Sequence, residues 1–152
     1  AVQWWRKAAE QDSPAGLYNL ANAYWQGRGV TQDDSHAVQL FTKALEAGSM
    51  RASLALAEAA LEGRGTPRDL KRAGSMISVA LGSGDDSLQA PGRAILNDLA
   101  RASCSVSNGI AADFSECEEN VRMRILATSF LDRQIRKTDE EIRKLKAQQK
   151  NY

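Results

Sequence analysis

Hydrophobic positions recur along this chain at helical spacing, and turn-forming residues divide them into short segments. The first predicted helix has an apolar stripe at the spacing i, i+1, i+4 and i+5, formed by Trp4, Trp5, Ala8 and Ala9. Ser13 and Pro14 then provide the N-cap and the first residue of a second helix. The sequence has no alternating β-branched runs, so the pattern predicts an all-α protein.

The second predicted helix ends at a glycine-rich turn. Its apolar and small residues are Ala15, Leu17, Tyr18, Leu20, Ala21, Tyr24 and Trp25. Gly27 and Gly29 end the helix, because glycine readily adopts the left-handed backbone that stops helices. Asp33 or Asp34 is expected to cap the next helix, as Asp69 does one repeat later.

This two-helix pattern repeats after 36 residues. Gly27-Arg28-Gly29 recurs as Gly63-Arg64-Gly65, and the same shift carries Lys7 to Lys43, Leu20 to Leu56 and Asp33 to Asp69. A unit of this length is one helix pair, which buries its apolar face by stacking on its neighbours. The sequence therefore predicts an α-solenoid of stacked antiparallel helix pairs.

The motif within each unit resembles that of a known family. Residues 4–11, Trp-Trp-Arg-Lys-Ala-Ala-Glu-Gln, are similar to the aromatic-aromatic-x-Lys-Ala-Ala-Glu-x-Gly signature of Sel1-like repeats. Residues 17–33 resemble the rest of that signature, and residues 40–65 repeat both parts more weakly. The resemblance covers roughly residues 1–85 and implies a bacterial member of this tetratricopeptide-related family.

The expected organisation is three repeat units followed by a different C-terminal segment. The third unit loses the aromatic pair and the Gly-x-Gly turn, as a capping repeat does when its outer face meets water. We divide the chain into units near 1–36, 37–72 and 73–102, a connector at 103–114 and a long helix at 115–152.

The long C-terminal helix has two interpretations. Its apolar seam consists of Val121, Ile125, Leu131, Ile135, Ile142 and Leu145, but Arg124, Thr128 and Thr138 interrupt it when it is read as heptads. In the first interpretation, residues 115–135 pack on the last repeat as a cap, and a charged helix end is left in solvent. In the second, the tail projects and pairs with a partner helix, which would give a homo-oligomer.

The two cysteines, Cys104 and Cys117, flank the connector. They could form a disulfide, remain as two buried thiols, or contribute to a metal site, although structural zinc requires four ligands. A disulfide would close a loop of about 14 residues, worth roughly 3 kcal/mol in the loop-entropy description. The resemblance implies frequent export, and an oxidising compartment would maintain such a disulfide. The pair is therefore our disulfide candidate.

The sequence contains no recognisable catalytic motif. His36 is the only histidine, and it lies beside acidic residues in a predicted first turn rather than beside a nucleophile. The Gly27-Arg28-Gly29 turn ends a helix, whereas a phosphate-binding loop opens one. The formal net charge is +1 and no apolar run is long enough for a membrane span. We expect no enzyme activity, cofactor, metal, nucleic-acid binding or membrane insertion.

The function implied by the resemblance is protein binding. We expect a non-catalytic interaction module or adaptor of the bacterial envelope, periplasmic or otherwise exported. No signal peptide is visible, and the chain starts without Met inside a helical pattern, so we expect a processed or trimmed fragment. The alternatives are an inhibitor or immunity protein that sequesters a secreted enzyme, and a structural oligomer assembled through the C-terminal helix.

The partner-binding surface is expected on the inner helix face and the loops between repeats, because stacked helix pairs present an extended concave face. The candidate residues are Tyr18, Asn19, Asn22, Gln26 and Arg28 in the first unit, and Ser53, Glu58, Glu62 and Arg64 in the second.

Overall fold

The computed structural model describes residues 1–105 and 111–149, which form seven α-helices and contain no strand. The helices are α1 (Val2–Glu10), α2 (Pro14–Gln26), α3 (Asp34–Glu46), α4 (Met50–Glu62), α5 (Leu70–Gly82), α6 (Gln89–Ser105) and α7 (Ala111–Gln149). A short 3₁₀ turn, Asp86–Leu88, precedes α6.

Side-chain caps determine where several helices begin. The Ser13 hydroxyl accepts a hydrogen bond from the Gly16 backbone N–H at 3.4 Å at the start of α2. The Asp33 carboxylate accepts from the His36 N–H at 2.9 Å, and the Asp69 carboxylate accepts from the Arg72 N–H at 3.0 Å. Of the two aspartates that the sequence left open, Asp33 is the cap of α3.

Equivalent glycines end α2 and α4. Gly27 and Gly63 have φ of 67° and 71°, and their backbone N–H groups donate to the carbonyls of Ala23 and Ala59. Only a residue that tolerates positive φ closes a helix in this way without strain. The two turns therefore have the same backbone conformation and capping hydrogen bond, one repeat apart, as the 36-residue period predicts.

The helices stack in antiparallel pairs, α1 with α2, α3 with α4, and α5 with α6. Two apolar clusters hold the stack together, one centred on Phe41 between the first two pairs and one centred on Ile77 and Leu96 between α4 and the third pair. The fold is the predicted all-α solenoid of helix pairs. Trp4 is an exception to the predicted core, because it lies on the outer side of the first helix and is 76% exposed.

The first half of α7 packs on α5 and α6 in the place that a next repeat would take. Gly74 and Gly82 allow a close approach, since an added Cβ would lie 3.4 Å from Ile125 Cδ1 and 3.2 Å from the Ser129 carbonyl oxygen. Arg133 donates to the Leu81 carbonyl at 3.1 Å. From residue 134 to residue 148 every side chain is exposed.

A disulfide joins Cys104 of α6 to Cys117 of α7, with the two Cα atoms 6.0 Å apart. The predicted disulfide is thus present, and it ties α7 to the end of the repeat stack. Helix α7 starts at Ala111, before the start near residue 115 that the sequence indicated. Residues 106–110 of the predicted connector and residues 150–152 of the predicted helix lie outside the described residues.

Candidate partner-binding groove

One open groove of about 370 Å³ runs along the side of the stack formed by α2, α4 and the start of α6. Its apolar part consists of Tyr18, Trp25, Phe41, Leu54, Ala55, Leu88, Pro91 and Ile95. Its polar part consists of Asn22, Gln26, Arg51, Glu58 and Ser87. Helices from all three repeat units therefore contribute to one continuous surface.

A buried ring supports the aromatic end of this groove. Phe41 of α3 is fully buried, and its ring centroid lies 5.6 Å from that of Tyr18 and 6.1 Å from that of Trp25. The Trp25 contact is edge-on, one of the arrangements that aromatic pairs prefer. Tyr18 and Trp25 are themselves only partly buried. The groove thus offers rigid aromatic surface to solvent.

Charges of opposite sign flank the apolar part of the groove. Arg51 and Glu58 both lie on α4, two helical turns apart, which is about 10 Å along the helix axis. Partial desolvation in the groove raises the pKa of the Glu58 carboxyl, and the nearby carboxylates of Glu62 and Asp98 raise it further against an opposing effect of Arg64. The Glu58 end is therefore an acidic position that is poorly neutralised by this chain.

Comparison with known proteins agrees with this architecture. The sequence model of the family described as Sel1 repeat matches residues 1–13, 14–49 and 51–74. This part of the chain belongs to the Sel1-repeat family. Sel1 repeats are generally protein-interaction modules, so the groove lies on the kind of scaffold that binds other proteins. No match was found among curated proteins.

Two solved structures resemble this chain. Cysteine-rich protein B of Helicobacter pylori is 26% identical with a TM-score of 0.53, and the match covers 57% of this chain and 65% of that one. A Sel1 repeat protein of Oxalobacter formigenes is 24% identical with a TM-score of 0.55, covering 84% of this chain and 46% of that one. This chain therefore spans less than two thirds of either protein, and both come from bacteria.

Four of the predicted partner-binding residues, Tyr18, Asn22, Gln26 and Glu58, line the groove. Asn19, Arg28 and Glu62 are exposed but outside its lining. Ser53 is fully buried, and its hydroxyl donates to the Met50 carbonyl at 2.6 Å. Ser53 is therefore unavailable to a partner, and its inclusion among the surface residues was wrong.

The Sel1 repeat period explains this error. A shift of 36 residues carries the buried Leu17 to Ser53, and it carries Tyr18 to Leu54, which lines the groove. It likewise carries Asn19 to Ala55, another lining residue. Applying the period strictly to Tyr18 and Asn19 would have found both. Pro91 and Ile95 were harder to find, since the third unit lacks the aromatic pair and the Gly-x-Gly turn that set the register of the first two.

Arg64 bridges adjacent repeats. Its Nε and Nη2 donate to the two carboxylate oxygens of Asp34, each at 2.8 Å, and Nη2 also donates to the Trp25 carbonyl at 2.6 Å. The guanidinium carbon lies 3.8 Å from the Trp25 ring centroid. Among side chains, only arginine can form a bidentate pair with a carboxylate while its plane stacks on an aromatic ring. The side chain expected to bind a partner thus holds the aromatic end of the groove in place.

We expect Arg64→Ala to lower the free energy of unfolding by about 2 kcal/mol, because it removes charge-assisted hydrogen bonds from a partly buried pair. Arg64→Lys should retain less than half of the stability that Arg64→Ala loses, since an ammonium cannot form a bidentate pair with a carboxylate. The hydrogen bond from Arg64 holds the pKa of Asp34 below its usual 3.8. The bridge is therefore present at neutral pH and is lost as the pH falls through that lowered pKa.

Urea unfolding at pH 7 and at acidic pH measures these differences, with Arg28→Ala as the matched control. Arg28 is the equivalent residue in the first unit and is exposed. Its replacement should change stability by less than about 0.5 kcal/mol. If both variants lost the same free energy of unfolding, the Arg64–Asp34 pair would not stabilise the chain as proposed.

The described part of the chain contains no group of three His, Cys, Asp or Glu side chains placed to hold a metal ion. The ring of His36 packs edge-on against Tyr24, with centroids 4.5 Å apart, at the start of α3. Among the described helices, none is both long and apolar enough to cross a membrane.

Proposed function

We propose that this chain is a non-catalytic adaptor that binds an extended segment of another protein in the groove between α2, α4 and α6. The observation that carries the proposal is the juxtaposition of rigid, solvent-accessible aromatic surface with one basic and one acidic side chain. Aromatic residues and arginine dominate the binding energy of protein interfaces, and polar groups around them give specificity.

The spacing of the charges suggests the sequence of the bound segment. Arg51 and Glu58 are about 10 Å apart along α4, and an extended chain advances about 3.3 Å per residue. The segment would therefore carry an acidic and a basic residue about three positions apart. A side chain between them would be apolar and would rest on Tyr18, Leu54 and Ile95.

The state of Glu58 supports a basic group in the partner. Desolvation and two neighbouring carboxylates disfavour its charged form in the unbound chain, as its raised pKa indicates. A lysine or arginine placed beside it would favour the charged form and offset these effects. Residues held in locally unfavourable electrostatic surroundings are more common at functional sites than elsewhere.

We further propose that the adaptor works in the bacterial envelope, in the periplasm or after export. The Cys104–Cys117 disulfide supports this, because such bonds persist in oxidising compartments. The likeness to a cysteine-rich bacterial protein supports it as well.

A displayed library of random peptides, selected on the oxidised chain, tests the groove. We expect enrichment of an apolar residue beside a basic one, with an acidic residue about three positions from the basic one. Glu58→Lys should weaken the best peptide at least about tenfold by placing like charges together, and fluorescence polarisation measures this. Glu46→Lys makes the same charge change at an exposed site on α3, outside the groove, and should leave the affinity unchanged.

Two results would count against the proposal. A selection that yields no shared pattern would mean that the groove does not bind an extended peptide. A peptide whose affinity falls equally in the Glu46→Lys and Glu58→Lys variants would respond to overall charge rather than to the groove.

A further inference from the structure

The exposed end of α7 carries an apolar seam that nothing in the repeat stack covers. Leu131, Ile135, Ile142 and Leu145 are 59%, 59%, 43% and 61% exposed. All described side chains from residue 134 to 148 are exposed as well. An isolated helical segment of this length gains little stability from its sequence alone, because most helix stability comes from packing of an apolar face. We therefore expect another surface to pack against the seam.

The seam follows the alternating spacing of four and three residues that defines heptads. Ile135 and Ile142 occupy heptad position a, and Leu131, Thr138 and Leu145 occupy position d. Isoleucine at a with leucine at d favours parallel two-stranded coiled coils over larger assemblies. Thr128, which interrupts the earlier part of the seam, lines a groove against α5 and α6 and lies outside the projecting stretch.

We infer that two copies of this chain pair through residues 131–149 of α7 as a parallel two-stranded coiled coil. In that arrangement each position g faces position e of the following heptad in the other helix. Glu141 is at g and Lys146 is at e, so each copy's Glu141 meets the other's Lys146. The seam thus fits a second copy by shape and by charge.

The charges also determine the orientation. In the antiparallel register that overlaps the whole seam, like-lettered flanking positions face each other. Glu141 would then face Glu141 of the second copy, and Asp139 would face Asp139. The ion pair between Glu140 and Lys144, at 2.8 Å, lies at positions f and c, away from the seam, where it supports the helix itself. Parallel pairing brings Glu141 and Lys146 together without these two like-charge contacts.

The expected association is weak, because the seam spans fewer than three heptads and Thr138 occupies one d position. Sedimentation analysis of the oxidised chain should show a monomer–dimer equilibrium between about 10 µM and 1 mM. The paired variant Ile142→Ser with Leu145→Ser should weaken it at least about tenfold. Met123→Ser, also at an exposed apolar residue on α7 but outside the seam, should leave it unchanged.

A charge exchange tests the orientation. Glu141→Lys should weaken the dimer several-fold, and adding Lys146→Glu should restore it, because the g-to-e pair is re-formed with its signs reversed. The folding of every variant is checked by circular dichroism, since the altered residues are exposed in the single chain. This test does not involve the peptide groove, so either proposal can fail without the other.

Three outcomes would overturn the inference. One is a monomer at all concentrations up to about 1 mM. Another is a dimer that is unaffected by the serine pair. The third is a dimer that the charge exchange weakens further, which would indicate antiparallel pairing.

Discussion

Gly65→Ala is expected to destabilise the chain by about 3 kcal/mol. Gly65 has φ of +67°, where an alanine costs about 1–2 kcal/mol. A Cβ at this position would also overlap the Asp34 backbone carbonyl and lie 3.0 Å from the Ser35 backbone nitrogen. Backbone atoms at the start of a capped helix cannot move aside as a flexible side chain can. The two costs add, because the first arises in the conformation of the turn itself and the second in its contact with α3.

Gly84→Ala is the matched control for this prediction. Gly84 has φ of +81°, but no atom lies within 4 Å of an added Cβ, so only the backbone cost applies. Urea unfolding of both variants therefore separates the conformational cost from the contact cost. Equal destabilisation by the two substitutions would show that the turn does not pack on α3 as described.

Local features of this fold were predictable from the sequence because they depend on neighbouring residues. The Ser13 and Asp33 caps, and the glycines that end α2 and α4, act within a single turn of chain. Their residue types at these positions satisfy free backbone groups at helix ends wherever the helix is placed. A repeating pattern of such signals was enough to predict the stack of helix pairs.

Contacts between repeats were harder to predict. The sequence showed that Arg64 repeats Arg28, but not that Arg64 reaches Asp34 across 30 residues while Arg28 stays exposed. That difference depends on which surfaces meet after stacking. The groove was only partly predictable for the same reason. Repeat position found four of its lining residues, Tyr18, Asn22, Gln26 and Glu58. Arg51 and Ile95 join them only through the arrangement of three helices.

The first part of the C-terminal helix packs on the last repeat, whereas the pairing of its end with a partner helix stays a prediction. Its part up to Arg133 packs on α5, where the small residues Gly74, Ser78 and Gly82 leave room for it. The capping interpretation of the sequence ended this packing at residue 135, close to Arg133. The charged part beyond residue 134 extends into solvent.

Loss of the Cys104–Cys117 disulfide should lower the free energy of unfolding by about 3 kcal/mol, because the bond closes a loop of about 14 residues and limits the freedom of the unfolded chain. The variant with Cys104→Ser and Cys117→Ser should show this loss in urea unfolding. Reductant should destabilise the native chain by a similar amount and leave the double variant unchanged, which controls for other effects of the reductant.

The destabilisation caused by loss of the disulfide should also be local, because each unit of a solenoid contacts only its neighbours. Without the bond, α7 is held by contacts such as the Arg133 hydrogen bond to Leu81 and the Ile125 packing against Gly74. Amide hydrogen exchange in the double variant should therefore quicken in α7 between residues 117 and 133 and at the end of α6, while α2 and α3 keep their protection. Equal loss of protection in α2 and α3 would mean that the chain unfolds as one unit and that the disulfide stabilises all of it rather than the cap.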